Sequence, residues 1–310
     1  MLLARGALVL FMLFLLASLL LATYAEPSSI AFYINSADGS DANSGSTPDT
    51  AWGSLVAASE RISAALDASP TSRIDVWIAR DSQFLSEGLV IASSMFVGNV
   101  TVAAFGNTSL PRPLVQHARG LTDIGSTPCV RIDVPMAFST SVSGLRLSGC
   151  STGISISGSS GQNPPTSNIV LADNILTDIQ TSFLRYTPPN PHWATAILLA
   201  GGNMANVTIQ NNVGARIDVF FQSTSHVDSL LLDANTVQMC SGNCYSMGSG
   251  NGLVLRNSVF LRDNSNRLFS YGTTDVIIGT VAGPNAVINN DFLQRGVSQR
   301  PKYLKRLGTH

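Results

Sequence analysis

The amino-acid sequence predicts an all-β protein, a single-stranded parallel β-helix of about seven coils with an N-terminal capping helix. Three observations predict it. Short aliphatic segments recur along the chain, and the last of them follow one another at a step of about 23 residues. Alternate residues within each segment are aliphatic, as in strands that share one core. No helical pattern separates the segments, so each unit must bury its apolar face against the next.

The first 25 residues have the composition of a secretory signal peptide. Arg5 precedes an apolar run from Ala7 to Ala22, and small residues stand at Thr23 and Ala25. Because this run is shorter than the roughly 20 apolar residues that a bilayer span needs, a cleaved signal is favoured over an uncleaved signal anchor. We therefore expect a secreted, extracellular protein with no membrane span once the signal is removed.

Residues 26–70 are predicted to form a strand, a turn and the capping helix. Leu55, Ala58, Ile62, Ala65 and Leu66 recur at helical spacing and give one apolar face, which would cover the open end of a β-helix. The loop before this helix contains three side chains with oxygen ligands, Asp38, Asp41 and Asn43. They suit calcium, and they equally suit a turn in which Asp and Asn bond the nearby backbone.

Residues 71–293 carry the repeat. When each segment is anchored on its second inward aliphatic residue, the steps are about 24, 38, 23, 23 and 23 residues. The long step contains an insertion of about fifteen residues. The anchors are Leu147, Leu171, Ile209, Leu232, Leu255 and Ile278. A leucine-rich horseshoe is the alternative, but the segments lack its fixed leucine pattern.

Three asparagines support the β-helix. Asn174, Asn212 and Asn235 each follow an anchor by three residues. Stacked Asn side chains can hydrogen-bond from coil to coil, and Asn tolerates the left-handed backbone conformation that such a turn needs. We therefore expect an asparagine ladder at one corner of the coils.

The segment from Phe32 to Leu55 adds a family resemblance. It reads FYINSADGSDANSGSTPDTAWGSL, an aromatic strand and a DGSD turn that lead into an Ala-rich helix. This entrance resembles that of secreted right-handed parallel β-helix proteins of the pectate-lyase-like group, which includes polysaccharide lyases and alginate-epimerase-like proteins. The resemblance implies a right-handed β-helix, in agreement with the general handedness of parallel crossovers.

The resemblance also implies that the protein binds an extracellular polysaccharide, and it leaves open whether the protein cleaves or modifies it. An enzyme of this type would be a polysaccharide lyase or a glycoside hydrolase. Lyases of the group use a Lys or Arg of lowered pKa as the base. The only lysines, Lys302 and Lys305, lie in the basic C-terminal tail, residues 294–310. The alternative is a non-catalytic structural or adhesion module of a cell surface or cell wall.

The catalytic candidates are aspartates that follow their anchors by seven to nine residues, together with one arginine of the same region. They are Asp178, Asp218, Asp263 and Arg216. Stacked coils would bring these carboxyl groups onto one face, as an acid and base pair for glycoside hydrolysis or as a calcium site. Aspartates that cap turns are the simpler explanation.

The insertion after Thr177 is the candidate binding loop. It contains Tyr186, His192 and Trp193 among three prolines. Long loops on repeat scaffolds often carry binding residues, and aromatic rings stack on sugar faces. A purely structural His beside a Trp is the alternative.

Four cysteines in an exported chain favour the disulfides Cys129–Cys150 and Cys240–Cys244. Zinc is disfavoured because the sequence offers neither a second close cysteine pair nor histidines at ligand spacing. Sequons at Asn99, Asn107 and Asn206 predict glycosylation in a eukaryotic host.

The outer surface suggests few classes of partner. Charged residues are 12% of the chain and the net charge is −1, so nothing favours nucleic acid. An outward apolar strip on the coils predicts that a protein partner, a loop or the tail covers it. The strip consists of Val170, Leu231, Val254 and Ile277.

Overall fold

The computed structural model describes residues 29–85, 87–117, 128–134, 137–158, 165–180, 194–240, 244–262, 276–282, 286–288 and 291–294. The expected signal peptide and the tail beyond residue 294 lie outside these ranges. Within them the protein is mainly β, with 22 strands and one α-helix. No helix among the described residues is both long enough and apolar enough to cross a membrane.

The strands pair in parallel in a 14-stranded and an 8-stranded sheet. The larger sheet consists of two ladders joined through shared strands, so the described strands form three ladders in all. The first ladder contains β1 (Ser29–Ile34), β2 (Arg73–Ala79), β5 (Asn99–Phe105), β8 (Ser139–Ser143), β11 (Thr166–Ala172), β14 (Met204–Gln210) and β21 (Ala286–Ile288). The second contains β3 (Gln83–Leu85), β6 (Leu114–Gln116), β9 (Arg146–Ser148), β12 (Ile175–Ile179), β15 (Val213–Ile217), β17 (Thr236–Cys240), β19 (Val259–Arg262) and β22 (Asp291–Gln294). The third contains β4 (Leu89–Ala92), β7 (Pro128–Asp133), β10 (Thr152–Gly158), β13 (Thr195–Gly201) and β20 (Val276–Ala282).

Two long strands belong to two ladders each. The N-terminal halves of β16 (Val219–Asp233) and β18 (Tyr245–Arg256) continue the third ladder, and their C-terminal halves continue the first. From β2 onward the chain visits the first, second and third ladders in that order and then begins the next round. The prediction of a mainly β protein with parallel strands and one α-helix is confirmed.

The inner column of the first ladder differs from the predicted one at both ends. The residues in register are Val142, Leu171, Ile209, Leu232 and Leu255, all of them buried. The predicted anchor Leu147 is wrong, because it lies in the second ladder opposite Leu176. Ile278 is also wrong, because it lies in the third ladder opposite Met247.

The error has a physical cause, since strands of all three ladders carry the same alternation of inward aliphatic residues. A segment of one ladder can therefore be mistaken for a segment of another. The constant step holds where the structure pairs Ile209 with Leu232 and Leu232 with Leu255. The rounds before and after this stretch are longer.

The helix α1 (Leu55–Ala68) covers the first strand of the third ladder. Its apolar face, with Leu55 and Ile62 fully buried, joins the core. Backbone N–H groups on the outer edge of β4 donate hydrogen bonds to side chains of the helix. The backbone N–H groups of Val90 and Ala92 donate to the hydroxyl oxygens of Ser59 (2.9 Å) and Ser63 (3.1 Å). The helix thus covers an edge that would otherwise expose unpaired N–H groups.

Candidate functional site

The predicted asparagine ladder is present at the corner between the first and second ladders. Asn174, Asn212 and Asn235 are fully buried. The Asn174 amide donates to the Asn212 Oδ1 at 3.1 Å, and the Asn212 amide donates to the Asn235 Oδ1 at 3.2 Å. Ser258 continues the series, because its hydroxyl accepts from the Asn235 backbone N–H at 3.3 Å.

The expectation that these asparagines adopt the left-handed conformation is wrong. That conformation belongs to the residue before each of them, such as Asp173 (φ 58°), Asn211 (φ 54°) and Ala234 (φ 53°). The left-handed residue turns the chain, and the asparagine that follows it points inward. The ladder holds β12, β15 and β17 in fixed register, and this register positions the side chains at the far ends of those strands.

At the far ends of β12 and β15, Asp178 and Arg216 form an ion pair between neighbouring rounds. The Arg216 Nε donates to one carboxylate oxygen and an Nη atom donates to the other, both at 2.7 Å. Both residues have positive φ, 58° and 53°, so their side chains leave the strands at equivalent points. The Arg216 side chain is 47% exposed, whereas that of Asp178 is 14% exposed.

This pairing determines what Arg216 can do. The hydrogen bonds that Arg216 donates to the Asp178 carboxylate raise the pKa of Arg216, so the guanidinium stays charged. A lyase base needs a lowered pKa, and this arginine has the opposite environment. A guanidinium has five N–H groups, and the contacts with Asp178 use two of them. The others suit a hydroxyl or carboxylate ligand that approaches from solvent.

Asp218 does not occupy the position equivalent to Asp178. Ile179 pairs with Ile217, so Asp218 follows the ladder by one residue and corresponds to Gln180. It is 3% exposed, and its backbone N–H donates to the Ile179 carbonyl at 2.9 Å. Asp263 lies outside the described residues. The similar sequence offsets therefore do not place Asp178 and Asp218 in one column.

The candidate binding loop leaves and returns beside this ion pair. Tyr186, His192 and Trp193 lie outside the described residues, but both ends of their segment are described. The Ile179 carbonyl accepts from the Asp218 N–H, and the Ala194 carbonyl accepts from the next N–H, that of Val219, at 3.1 Å. The two ends are thus bonded to consecutive residues of the following round.

Two of the calcium-ligand candidates in the loop before the helix are used in hydrogen bonds near the helix N-terminus. One Asp41 carboxylate oxygen accepts from the N–H groups of Gly53 and Ser54, both at 2.9 Å, and the other accepts from the Ser54 hydroxyl at 2.7 Å. The Ser54 hydroxyl bond is the main cause that lowers the pKa of Asp41. The Asn43 amide donates to the Ala51 carbonyl at 3.1 Å. These contacts favour the turn alternative, and calcium at Asp38, Asp41 and Asn43 stays a prediction.

Asp38 also lines an open cavity of about 380 Å³ at the entrance. Asp49, Arg80, Phe105 and Asn107 contribute to the same cavity. Arg80 donates to the Leu110 carbonyl at 3.2 Å, which holds its side chain along one wall. The cavity therefore combines carboxylates, a cation and an aromatic ring.

The predicted disulfide Cys129–Cys150 is present. The structure brings His117 to it, so that the three ligand atoms lie within 4.8 Å of one another. This is the one group of three metal-ligating side chains among the described residues, and two of its members form the disulfide. The sequence did not reveal it, because His117 shares no motif with either cysteine. The Cys240 side chain lies outside the described residues, so Cys240–Cys244 stays a prediction.

The sequon asparagines differ in exposure. Asn107 and Asn206 are exposed, whereas Asn99 is half-buried at the start of β5. The Asn107 side-chain oxygen accepts from the Ser109 N–H at 3.0 Å, and the Asn206 amide donates to the Asn168 side chain at 3.3 Å. Glycosylation at the three sites stays a prediction.

The apolar strip is shorter than predicted. Val170, Leu231 and Val254 lie in one outward column, interrupted by Thr208, and each is half-buried. The assignment of Ile277 to this column is wrong. Ile277 lies opposite Ser246, and the residue opposite Val254 is Ala286. A partner on the strip stays a prediction.

Comparisons with solved structures found similar chains, among them two forms of one enzyme. No protein-family model matches the chain, and no curated protein matches it. The chain is similar to a GH136 lacto-N-biosidase from Eubacterium ramulus in its selenomethionine derivative, with a TM-score of 0.40 and 13% identity over 84% of this chain and 68% of that one. The native form of that protein gives a TM-score of 0.36 and 12% identity with the same coverage.

Proposed function

We propose that the protein is a secreted, right-handed parallel β-helix of the pectate-lyase-like type that binds an extracellular polysaccharide. The repeated visit to three parallel ladders in one order supports the β-helix. The N-terminal apolar run and the disulfide support export.

The observation that carries the binding proposal is the Asp178–Arg216 pair at the corner where the aromatic insertion begins and ends. Asp178 holds the guanidinium in one orientation through two bonds, so little side-chain entropy is lost when a ligand binds. The remaining N–H groups of Arg216 favour a ligand group that accepts hydrogen bonds, above all a carboxylate. The aromatic rings of the insertion would supply the apolar surface for a sugar ring.

These features favour a uronate-containing polysaccharide over a neutral one. A carboxylate on the sugar makes a charge-assisted hydrogen bond with Arg216, which is roughly twice as strong as a neutral one. Cleavage or modification of the polysaccharide is a separate step. Asp178 and Asp218 do not share one column and Asp263 lies outside the described residues, so we assign no acid and base pair for glycoside hydrolysis.

The test is a panel of uronate-containing polysaccharides and neutral polysaccharides of similar length, each with and without calcium. We expect binding to the uronate polymers and weaker or no binding to the neutral ones. The appearance of unsaturated products would identify a lyase. Absence of binding to every polymer would overturn the proposal and favour the structural or adhesion module.

Variants of the insertion locate the site. Trp193→Ala and Tyr186→Ala should weaken binding of the uronate polymer, because each removes an aromatic surface for a sugar ring. Phe138→Ala is the control, since Phe138 is an exposed aromatic residue, 53% accessible, outside the insertion. Equal binding by all three variants and the wild type would contradict the placement of the site.

A further inference from the structure

A second polar cluster lies on the outward side of the first ladder, across β16 and β18. His226 pairs in register with Ser249, and Asp228 pairs with Asn251. The His226 Nδ1 lies 3.3 Å from the Ser249 Oγ, and the His226 Nε2 lies 3.1 Å from the Asp228 Oδ1. One histidine thus connects a hydroxyl to a carboxylate.

The carboxylate decides which imidazole nitrogen carries the proton. An ionised carboxylate only accepts hydrogen bonds, so the contact with Asp228 assigns the hydrogen to Nε2. The Nδ1 lone pair then faces the Ser249 hydroxyl, which is the arrangement in which a neutral imidazole accepts a proton from serine. The Asn251 amide donates to the same Asp228 oxygen at 2.5 Å and holds the carboxylate in place, and the amide nitrogen also lies 3.4 Å from the His226 Nε2.

An irregularity in the backbone of β16 also distinguishes the position of this cluster. The register between β16 and β18 shifts between Ser223 and His226, directly before the cluster. A bulge of this kind redirects the side chains that follow it and is frequent beside active sites. The His226 side chain is 37% exposed and that of Asp228 is 53% exposed. Ser249 is itself half-buried, so its hydroxyl is not closed off from solvent.

We propose that Ser249, His226 and Asp228 form an acyl-transfer site for small esters of alcohols, with Ser249 as the nucleophile. The Ser249 Oγ bonds to the acyl carbon while its proton moves to the His226 Nδ1. The carbon–oxygen bond to the alcohol then breaks, and the alcohol leaves with that proton. Water next attacks the acyl-serine and gives its proton to Nδ1, and the acid leaves as Ser249 regains its hydrogen.

In this site Ser249 and His226 are catalytic residues, whereas Asp228 and Asn251 are positioning residues. Asn251 acts through Asp228, because its amide donates to the carboxylate that orients the imidazole. The partial exposure of Asp228 weakens its effect on the imidazole, so esters with good leaving groups are the expected substrates. The inference goes beyond carbohydrate binding and rests on different residues.

The test is labelling of the full-length protein with a fluorophosphonate, in which the serine oxygen displaces fluoride from phosphorus, followed by peptide mass spectrometry. We expect the label on Ser249 and a loss of at least about 100-fold in labelling rate in His226→Gln. Ser155→Ala is the control, because Ser155 is a half-buried strand serine with no described histidine partner. It should label at the wild-type rate on Ser249.

A second measurement separates catalysis from folding. Asp228→Asn should slow both labelling and p-nitrophenyl acetate hydrolysis with an unchanged thermal midpoint, and Asp228→Glu should restore part of the rate. Label distributed among surface serines, or an equal rate in folded His226→Gln, would overturn the proposal. Neither result depends on polysaccharide binding, so the two proposals can fail independently.

Discussion

Removal of one asparagine from the buried ladder should destabilise the protein strongly. In Asn212→Ala, the Asn174 backbone N–H and side-chain amide lose their acceptor, which they contact at 3.0 and 3.1 Å. The Asn212 amide itself contacts the Leu171 and Gln210 carbonyls at 2.8 and 2.9 Å and the Asn235 Oδ1 at 3.2 Å. All these groups surround a fully buried side chain, so water does not replace the lost bonds.

The magnitude follows from the number of bonds. An amide has two hydrogens, so it donates to two of its three close acceptors at one time, and its oxygen accepts twice. Four bonds at about 1 kcal/mol each give a loss of about 4 kcal/mol in the free energy of unfolding. This is at the large end for a single substitution.

The assay is urea unfolding followed by circular dichroism. Gln238→Ala is the control, because Gln238 is an exposed amide residue on the adjacent strand β17 and its loss should change stability by less than about 0.5 kcal/mol. A loss below about 1 kcal/mol in Asn212→Ala, with an unchanged denaturant slope, would refute the reasoning.

Three further predictions concern stability. Burial lowers the pKa of His117, so the unfolded chain takes up a proton at a higher pH than the folded protein does. The free energy of unfolding should therefore fall as pH drops below about 6.5. In unfolding measured from about pH 7 to 5, His117→Gln should show a smaller dependence of this free energy on pH. Hydrogen bonds, chiefly that from the Ser54 hydroxyl, lower the pKa of Asp41, so its contribution should be present above about pH 4 and be lost below it. Because Asp41 is exposed and solvent screens its bonds, Asp41→Ala should cost no more than about 1 kcal/mol at pH 7, and calcium should not restore it. Replacement of Cys129 and Cys150 by serine should lower the free energy of unfolding by about 3 kcal/mol in chemical unfolding. The control is wild type under reducing conditions, which should lose the same amount. No loss in either sample would contradict a stabilising disulfide.

The sequence predicted the fold where one residue type repeats at one structural position. The asparagines at 174, 212 and 235 mark equivalent corners, so their sequence positions alone indicated the ladder. Two anchors were assigned to the wrong ladder, because aliphatic residues alternate in all three ladders and nothing local distinguishes Leu147 from Val142. Only the pairing of whole strands resolves which ladder a segment joins.

The site was predictable in part. Asp178 and Arg216 were both candidates, but their pairing depends on two left-handed residues at the ends of neighbouring strands. No local sequence pattern requires a left-handed arginine. The approach of His117 to Cys129 likewise depends on two separate ladders, so the sequence alone did not place them together.

The central claim is that the Asp178–Arg216 pair recognises the polysaccharide. Its most direct test is the affinity of a uronate oligosaccharide for Arg216→Ala and for Arg256→Ala, measured by titration calorimetry. Arg256 is the matched control, because it pairs with Asp233 at 2.8 Å and its side chain is 45% exposed, close to the value for Arg216. We predict that Arg216→Ala binds at least about tenfold more weakly than wild type, the effect of one charged hydrogen bond, and that Arg256→Ala binds as wild type does. Equal affinities for the two variants would contradict the claim that the Asp178–Arg216 pair recognises the polysaccharide.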